Sequence, residues 1–337
     1  MTTTNQKQGT VRILRHESRI LLDNPAGDPA ERDLYVYLPP GYDADDEKRF
    51  PVVYCLTGFT GRGKMFLNDS AFSPNLAERL DKLIGDGRIR PMIVVMPDCF
   101  TKYGGSQYIN SEATGRYEDY LTGEIVPFVD RLYRTRADRN SRAVAGKSSG
   151  GYGALIYGMR HSGLFGLAAS IAGDCYFEMC YKPDVKTAFR AIKGDPGKLL
   201  EKFWDEEAKK GKNDFDGLNM IGMSACYSPN PDSEWGFDLP FNLETGELRE
   251  EVWQRWLEND PVHLVEKYAE NLRSLKLLFI DAGNQDEFAL DIGARVLVKK
   301  LKERDIPHIH EEFDGGHFNI NYRYNRTFEA ISEAIDS

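Results

Sequence analysis

The sequence lacks several features that define large classes of protein. It has only five cysteines among its 337 residues, and no two of them form a CxxC pair. An odd number of cysteines without paired spacing argues against a disulfide framework and against a structural zinc site. No segment approaches the roughly 18 consecutive apolar residues that a transmembrane helix needs, so no membrane partner is expected.

Positive charge is also scarce. The chain has 43 Lys and Arg residues against 53 Asp and Glu residues, and its formal net charge is −10. Because phosphate contacts need a basic surface, this balance argues against a nucleic-acid partner. Residues 1–9 are polar, predict a flexible tail and lack the apolar core of a secretory signal. This missing signal and the unpaired cysteines together predict a cytoplasmic location. The sequence leaves open whether the protein forms a homo-oligomer.

Continuous apolar runs predict a sheet that is buried on both faces. Strands covered on both sides by helices have such runs, whereas half-exposed strands alternate. Amphipathic segments between the runs predict helices, and this alternation predicts a doubly wound α/β domain over residues 10–337 with a mostly parallel central sheet. The predicted buried strands cover residues 50–56, 91–96, 141–145, 167–172 and 275–280, with more exposed strands at 11–22, 32–38 and 306–313. The predicted helices cover residues 75–84, 117–133, 149–160, 290–302 and 327–335.

One long segment, residues 174–272, interrupts this alternation. It contains no buried strand run, and all four tryptophans lie within it: Trp204, Trp235, Trp253 and Trp256. Long excursions between core strands often act as lids or caps over a binding site, which favours an aromatic-rich lid insertion. The alternative is a small helical subdomain that only adds to the core.

The pentapeptide Gly146-Lys147-Ser148-Ser149-Gly150 fits the pattern G-x-S-x-G. A predicted strand enters it and a predicted helix leaves it, which is the context of a nucleophile elbow. The glycines suit a crowded, strained turn. The turn places the Ser148 hydroxyl at a helix N-terminus, where N–H groups and the helix dipole favour a developing oxyanion. The alternative is a glycine- and serine-rich helix start without chemistry.

A serine nucleophile needs a histidine base and an acid that orients it, and on this type of elbow they follow in the order serine, acid, histidine. His317 follows two glycines after the last predicted strand, so we predict it as the base. Asp286, in the loop after strand 275–280, is the predicted acid. Asp281 at the strand end fits a structural role better, and Asp174 remains an alternative acid.

The oxyanion of a tetrahedral intermediate needs two N–H donors. One is expected from Ser149, the residue after the nucleophile, and the other from Phe59 in the glycine loop after strand 50–56. The alternative for this second loop is a plain glycine turn with an aromatic plug.

Further residues are candidates for contacting a substrate. The loop after strand 91–96 lies at the carboxyl edge of the sheet, where open α/β folds bind ligands. An ordinary polar loop is the alternative. The candidates from this loop and from the insertion are Tyr103, Gln107, Tyr108 and Trp235.

From Arg32 to the C-terminus, the chain resembles the putative-esterase (esterase D-like) family of α/β-hydrolases, which includes S-formylglutathione hydrolases, enterochelin esterases, and feruloyl and acetylxylan esterases. The segments that carry the resemblance are Tyr117-Glu-Asp-Tyr-Leu, Ile125-Val-Pro-Phe-Val, Gly150-Gly151-Tyr-Gly-Ala-Leu, Gly283-x-x-Asp286 and Gly315-Gly316-His317. The resemblance implies the α/β-hydrolase fold, a triad of Ser148, Asp286 and His317, and an oxyanion hole formed by the N–H groups of Phe59 and Ser149. The chain departs from the family at Lys147 and Thr57, where other residues are usual.

These features together predict a serine carboxylic-ester hydrolase that works through an acyl-enzyme on a small-molecule ester. This chemistry needs no metal and no organic cofactor, so none is expected. An acyltransferase would use the same intermediate and is the nearest alternative. A non-catalytic binding scaffold of the same fold is an alternative from another class.

Overall fold

A computed structural model of the chain describes residues 8–336, and in that part the fold is built on a central sheet of eight strands. The strands are β1 (Thr10–Glu17), β2 (Glu31–Leu38), β3 (Val52–Leu56), β4 (Ile93–Pro97), β5 (Arg142–Lys147), β6 (Leu167–Ile171), β7 (Leu277–Gly283) and β8 (Ile309–Phe313). Their order in the sheet is β1-β2-β4-β3-β5-β6-β7-β8. Strands β3 to β8 are parallel, while β1 and β2 are antiparallel to their neighbours. The predicted mostly parallel sheet is confirmed.

The central strands β3 to β7 are buried along almost their whole length. They coincide with the five continuous apolar runs, since a strand covered on both faces has no solvent side to carry polar residues. Strand β1 is shorter than its predicted span of 11–22. After Glu17 the chain turns around the carboxylate of Glu124, which accepts the backbone N–H groups of Arg19 and Ile20 at 2.8 and 3.1 Å.

Helices flank the sheet, in keeping with the predicted α/β-hydrolase architecture. The helices are α1 (Leu76–Gly85), α2 (Tyr117–Asp119), α3 (Val126–Leu132), α4 (Ser149–Arg160), α5 (Phe177–Cys180), α6 (Val185–Ile192), α7 (Pro196–Trp204), α8 (Lys212–Tyr227), α9 (Glu250–Leu257), α10 (Pro261–Leu264), α11 (Ala269–Arg273), α12 (Leu290–Glu303) and α13 (Arg323–Asp336). A π-helical stretch, Tyr120–Ile125, joins α2 to α3. Among residues 8–336, no helix combines the length and the apolar character that crossing a membrane requires.

The insertion between β6 and β7 consists of helices α5 to α11 and irregular segments. Its aromatic residues largely form core: Trp253 and Trp256 are 1% and 0% exposed. The rings of Phe177 and Tyr227 pack against Tyr152 of α4, at centroid distances of 6.2 and 5.7 Å. The core of the insertion is therefore continuous with the core around the sheet, which fits the alternative of a core-forming subdomain for most of this segment.

Candidate active site

The elbow after β5 holds Ser148 in a strained backbone conformation. Its φ is 58° and its ψ is −126°, and helix α4 begins at the next residue. A Cβ atom on Gly150 would lie 2.1 Å from the carbonyl oxygen of Leu56, and one on Gly146 would lie 2.5 Å from the backbone of Gly150. The turn thus presses against β3 so closely that neither glycine position has room for a side chain, and it lifts Ser148 above the end of the sheet.

The structure brings Ser148, His317 and Asp286 together in one chain of hydrogen bonds. Nε2 of His317 lies 3.0 Å from Oγ of Ser148, and Nδ1 lies 2.9 Å from Oδ2 of Asp286. The Asp286 side chain is fully buried and that of His317 is 5% exposed. The other carboxylate oxygen of Asp286 accepts the backbone N–H of Phe288 at 2.9 Å, which fixes the orientation of the carboxylate.

Two loops, after β7 and after β8, hold the acid and the histidine next to each other. A Cβ on Gly283 would lie 2.4 Å from the carbonyl oxygen of Gly315, so the loops approach at a point that requires glycine. Oε2 of Glu287 accepts the backbone N–H of His317 at 2.5 Å. The ring of Phe288 packs edge-on against the imidazole at a centroid distance of 4.8 Å. Glu287 and Phe288 therefore hold the histidine in place, a role that the sequence did not indicate.

Asp174, the alternative acid, occupies a separate network. Its Oδ2 accepts hydrogen bonds from the Tyr181 hydroxyl at 2.8 Å, from Nε2 of Gln107 at 3.1 Å and from the Ser149 hydroxyl at 3.3 Å. Burial raises the pKa of Asp174 even though these donors oppose the shift. Within the described part of the chain, Asp174 makes no hydrogen bond to His317, so the geometry favours Asp286 as its partner.

The loop after β3 lies against the elbow, where a second oxyanion donor was expected. A Cβ on Gly58 would lie 3.3 Å from Cβ of Ser148, which shows how closely the loop backbone approaches the serine. The Tyr108 hydroxyl donates to the carbonyl oxygen of Thr57 at 2.7 Å and anchors the start of the loop. Among residues 8–336, the N–H groups of Phe59 and Ser149 donate to no protein atom. Both remain available to a ligand beside Ser148.

A cavity of about 990 Å³ opens in front of Ser148 and His317. Its walls come from residues 57–61, from the segment 65–79, from parts of the insertion, including Asp174, Tyr181 and Phe215, and from residues 317–324. Five large side chains that are exposed to solvent lie along it: Met65, Phe72, Phe215, Phe318 and Tyr322. Only Phe215 of these five belongs to the insertion, so most of the apolar rim comes from loops that sequence reasoning did not single out.

None of the four predicted substrate contacts is among the described residues that line this cavity. Tyr103, Gln107 and Tyr108 are buried behind the wall, because Tyr103 packs against Phe237, Gln107 bonds Asp174 and Tyr108 anchors the loop after β3. Trp235 packs over Gly197, where a Cβ would lie 2.6 Å from the indole ring. The structure thus corrects the expectation that these residues contact substrate: their polar groups serve internal hydrogen bonds or their rings fill the core.

Among the described residues, the cavity lining includes two with cationic side chains, Lys147 and Arg79. Arg79 is 6% exposed and donates to the side chain of Asn325 at 2.8 Å, which ties α1 to α13. Burial lowers the pKa of Lys147, while the nearby carboxylates of Asp286 and Glu287 oppose the shift. The position of Lys147 within the G-x-S-x-G pattern was the only signal in the sequence that pointed to a charge here.

One group of side chains away from the cavity has the spacing of a metal site. Ligand atoms of Glu178, Asp260 and His263 lie within 4.8 Å of one another. The Asp260 carboxylate, however, already accepts the backbone N–H groups of Tyr176 at 2.9 Å and of Phe177 at 2.7 Å. These bonds fix the insertion to its own backbone, so we assign this group a structural role.

Comparison with known proteins relates the chain to esterases. A ferulic acid esterase structure has a TM-score of 0.65 at 21% identity and covers 97% of this chain and 99% of its own. An S-formylglutathione hydrolase from Staphylococcus aureus has a TM-score of 0.58 at 16% identity, with 97% and 99% coverage. An endo-1,4-beta-xylanase/feruloyl esterase from Xylanibacter ruminicola is 33% identical over 149 residues, which are 42% of this chain and 19% of that protein. The chain thus spans less than a fifth of the length of this relative. The family described as "Putative esterase" matches residues 29–332, and the chain belongs to this family of α/β-hydrolases.

Proposed function

We propose that the protein hydrolyses carboxylic esters through an acyl-enzyme formed on Ser148. The observation that carries the proposal is the imidazole of His317, which lies 3.0 Å from the Ser148 hydroxyl and 2.9 Å from the Asp286 carboxylate at the wall of an open cavity. Membership of the esterase family supports the same conclusion.

The arrangement can carry out both halves of the reaction. As Oγ of Ser148 attacks the acyl carbon, Nε2 of His317 accepts the hydroxyl proton, and the imidazolium is stabilised by Asp286. His317 then gives this proton to the leaving alkoxide, and the acyl group stays on Ser148. In the second half, His317 accepts a proton from the water molecule that attacks the acyl carbon. It then returns this proton to Oγ of Ser148 as the bond between the acyl carbon and Oγ breaks and the acid is released.

The negative charge that develops on the carbonyl oxygen needs donors that are already in place. The N–H groups of Phe59 and Ser149 have no protein acceptor among residues 8–336 and flank the serine, so they are the proposed oxyanion hole. Preorganised donors of this kind contribute more than flexible ones, because they need not reorient as the charge forms.

The rim of the cavity supports an ester with an apolar or aromatic group. Large exposed apolar side chains that are grouped together often mark a binding site, and here several surround one opening. The related structures include ferulic acid esterases, whose name also indicates an aromatic ester.

The five cysteines are free and buried, which supports a reducing location such as the cytoplasm.

The test measures hydrolysis of p-nitrophenyl esters from acetate to decanoate, together with methyl ferulate, by the wild type and by Ser148→Ala. We expect Ser148→Ala to lose at least about a thousandfold in kcat and to lose labelling by a fluorophosphonate probe. Ser274→Ala, which changes an exposed serine outside the cavity lining, is the matched control and should keep both. Turnover and labelling that survive in Ser148→Ala would contradict the proposal.

The same experiment separates the proposal from its alternatives. Added alcohols compete with water for the acyl-enzyme, so a product mixture dominated by new esters, even at low alcohol concentration, would identify an acyltransferase. A wild-type protein that neither turns over esters nor reacts with the fluorophosphonate would identify a binding scaffold.

A further inference from the structure

We infer that Lys147 selects esters whose alcohol part carries a carboxylate. The inference rests on the proposed function and adds the chemical class of the leaving group. Lys147 immediately precedes the nucleophile, lines the cavity with Ser148 and His317, and is half-buried. Among residues 8–336 its ammonium group forms no close salt bridge, although the charges of the neighbouring carboxylates of Asp286 and Glu287 act on it.

The neighbouring carboxylates are engaged elsewhere. Asp286 accepts hydrogen bonds from the ring of His317 and the backbone of Phe288, and Glu287 accepts the backbone N–H of His317. When His317 becomes an imidazolium during the reaction, Asp286 balances that new charge. None of these short contacts involves Lys147, so its ammonium can still form a close ion pair with a negative group on the ligand.

The position of Lys147 indicates which half of the ester it would contact. His317 must reach the leaving oxygen in order to protonate it, so the alcohol part lies on the His317 side of Ser148. Nζ of Lys147 lies 5.9 Å from the ring of Phe318, and that ring contacts the imidazole of His317 at a centroid distance of 5.5 Å. Lys147 and the imidazole therefore contact the same ring, which favours the leaving-group half of the ester as the part that Lys147 would contact.

The probes are two acetyl esters that differ in the charge of the leaving group: 4-acetoxybenzoate, which is anionic, and 4-acetoxybenzamide, which is neutral and has no second ester bond. For each variant we would measure the ratio of kcat/KM for the anionic ester to kcat/KM for the neutral one. The intrinsic reactivity of the two esters does not depend on the enzyme variant, so it cancels when the ratio for one variant is compared with the ratio for another.

We expect Lys147→Gln to lower this ratio by roughly tenfold, mainly through a higher KM for the anionic ester, as for a partly screened ion pair. Lys147→Arg keeps the charge and should keep most of the preference. Lys299→Gln removes an exposed lysine of α12 that lies outside the cavity lining, and its ratio should equal that of the wild type. The wild-type preference should also weaken as NaCl is added.

Two results would overturn the inference. One is an unchanged ratio in Lys147→Gln, which includes an equal loss of kcat/KM for both esters. The other is a loss seen only when the carboxylate is on the acyl side, tested with mono-(4-nitrophenyl) succinate against 4-nitrophenyl butyrate. Each of these leaves the proposed function intact if Ser148→Ala is inactive on the neutral ester. Activity that persists in Ser148→Ala would instead overturn the proposed function itself.

Discussion

At the scale of single residues, the identity of the acid depends on which carboxylate reaches the imidazole. Asp286 and Asp174 both lie near the end of the sheet, and both are buried. Only Asp286 bonds Nδ1 of His317, whereas Asp174 is held by Tyr181 and Gln107. An acid that does not touch the imidazole cannot hold its tautomer, so the two residues should respond differently to the same substitution.

Asp286→Asn should lower kcat on a p-nitrophenyl ester by about a thousandfold or more, because an amide at this position favours the wrong histidine tautomer. Asp174→Asn keeps the shape of its site and should lower kcat much less. Its main effect should be on KM, because Asp174 lines the cavity. Steady-state kinetics of the two variants, with circular dichroism to check folding, make the comparison. A larger loss of kcat in Asp174→Asn would reverse the assignment of the acid.

At the scale of elements, the candidate active site depends on how closely the β5–α4 turn packs against β3. The carbonyl oxygen of Leu56 occupies the space that a side chain at Gly150 would need. The backbone of Leu56 has little freedom to move aside, because β3 pairs with β4 as far as Tyr54 and with β5 as far as Leu56 itself. The same contact positions the loop after β3 beside Ser148. A substitution that disturbs the contact should therefore change both the stability of the fold and the geometry around Ser148.

Gly150→Ala should therefore lower the free energy of unfolding by about 3 kcal/mol or more, at the upper end of the cost of overpacking a core. Gly163→Ala is the matched control, since a Cβ there would meet no atom within 4 Å and its backbone does not need the left-handed region. Its effect should stay within roughly 0.5 kcal/mol. Urea unfolding of both variants measures the difference, and equal stabilities would contradict the contact.

At the scale of the whole molecule, the insertion and the sheet domain share one core. Phe177 and Tyr227 of the insertion pack against Tyr152 of α4, and the Tyr152 hydroxyl donates to the carbonyl oxygen of Asn259 at 3.1 Å. A lid that opens as a unit would have to expose these aromatic groups. We therefore expect the insertion and the sheet domain to behave as one cooperative unit.

All four tryptophans lie in the insertion, so tryptophan fluorescence reports on this part while far-UV circular dichroism reports on the whole chain. We expect the two signals to give the same urea midpoint, because a shared core unfolds cooperatively. Trp256→Phe, with three tryptophans left, should shift both midpoints together. A fluorescence transition at clearly lower urea would show that the insertion unfolds independently.

The sequence by itself was sufficient for the central strands of the sheet, because buried parallel strands require uninterrupted apolar runs and each such run became a central strand. It also pointed to Ser148, Asp286 and His317 as candidates. A tight strand–helix turn needs glycines at fixed positions, and loops after successive parallel strands meet at one edge of the sheet. These are local constraints, and local constraints leave a pattern in the sequence.

Only the tertiary structure decided which residues line the cavity. Tyr103, Gln107 and Tyr108 follow a strand at the right edge, yet their side chains turn inward because the core supplies partners for them. Phe72 and Phe318, by contrast, face the opening without any pattern that marks them. Which side of a loop faces a cavity depends on packing between segments far apart in the chain, and neither composition nor periodicity records such contacts.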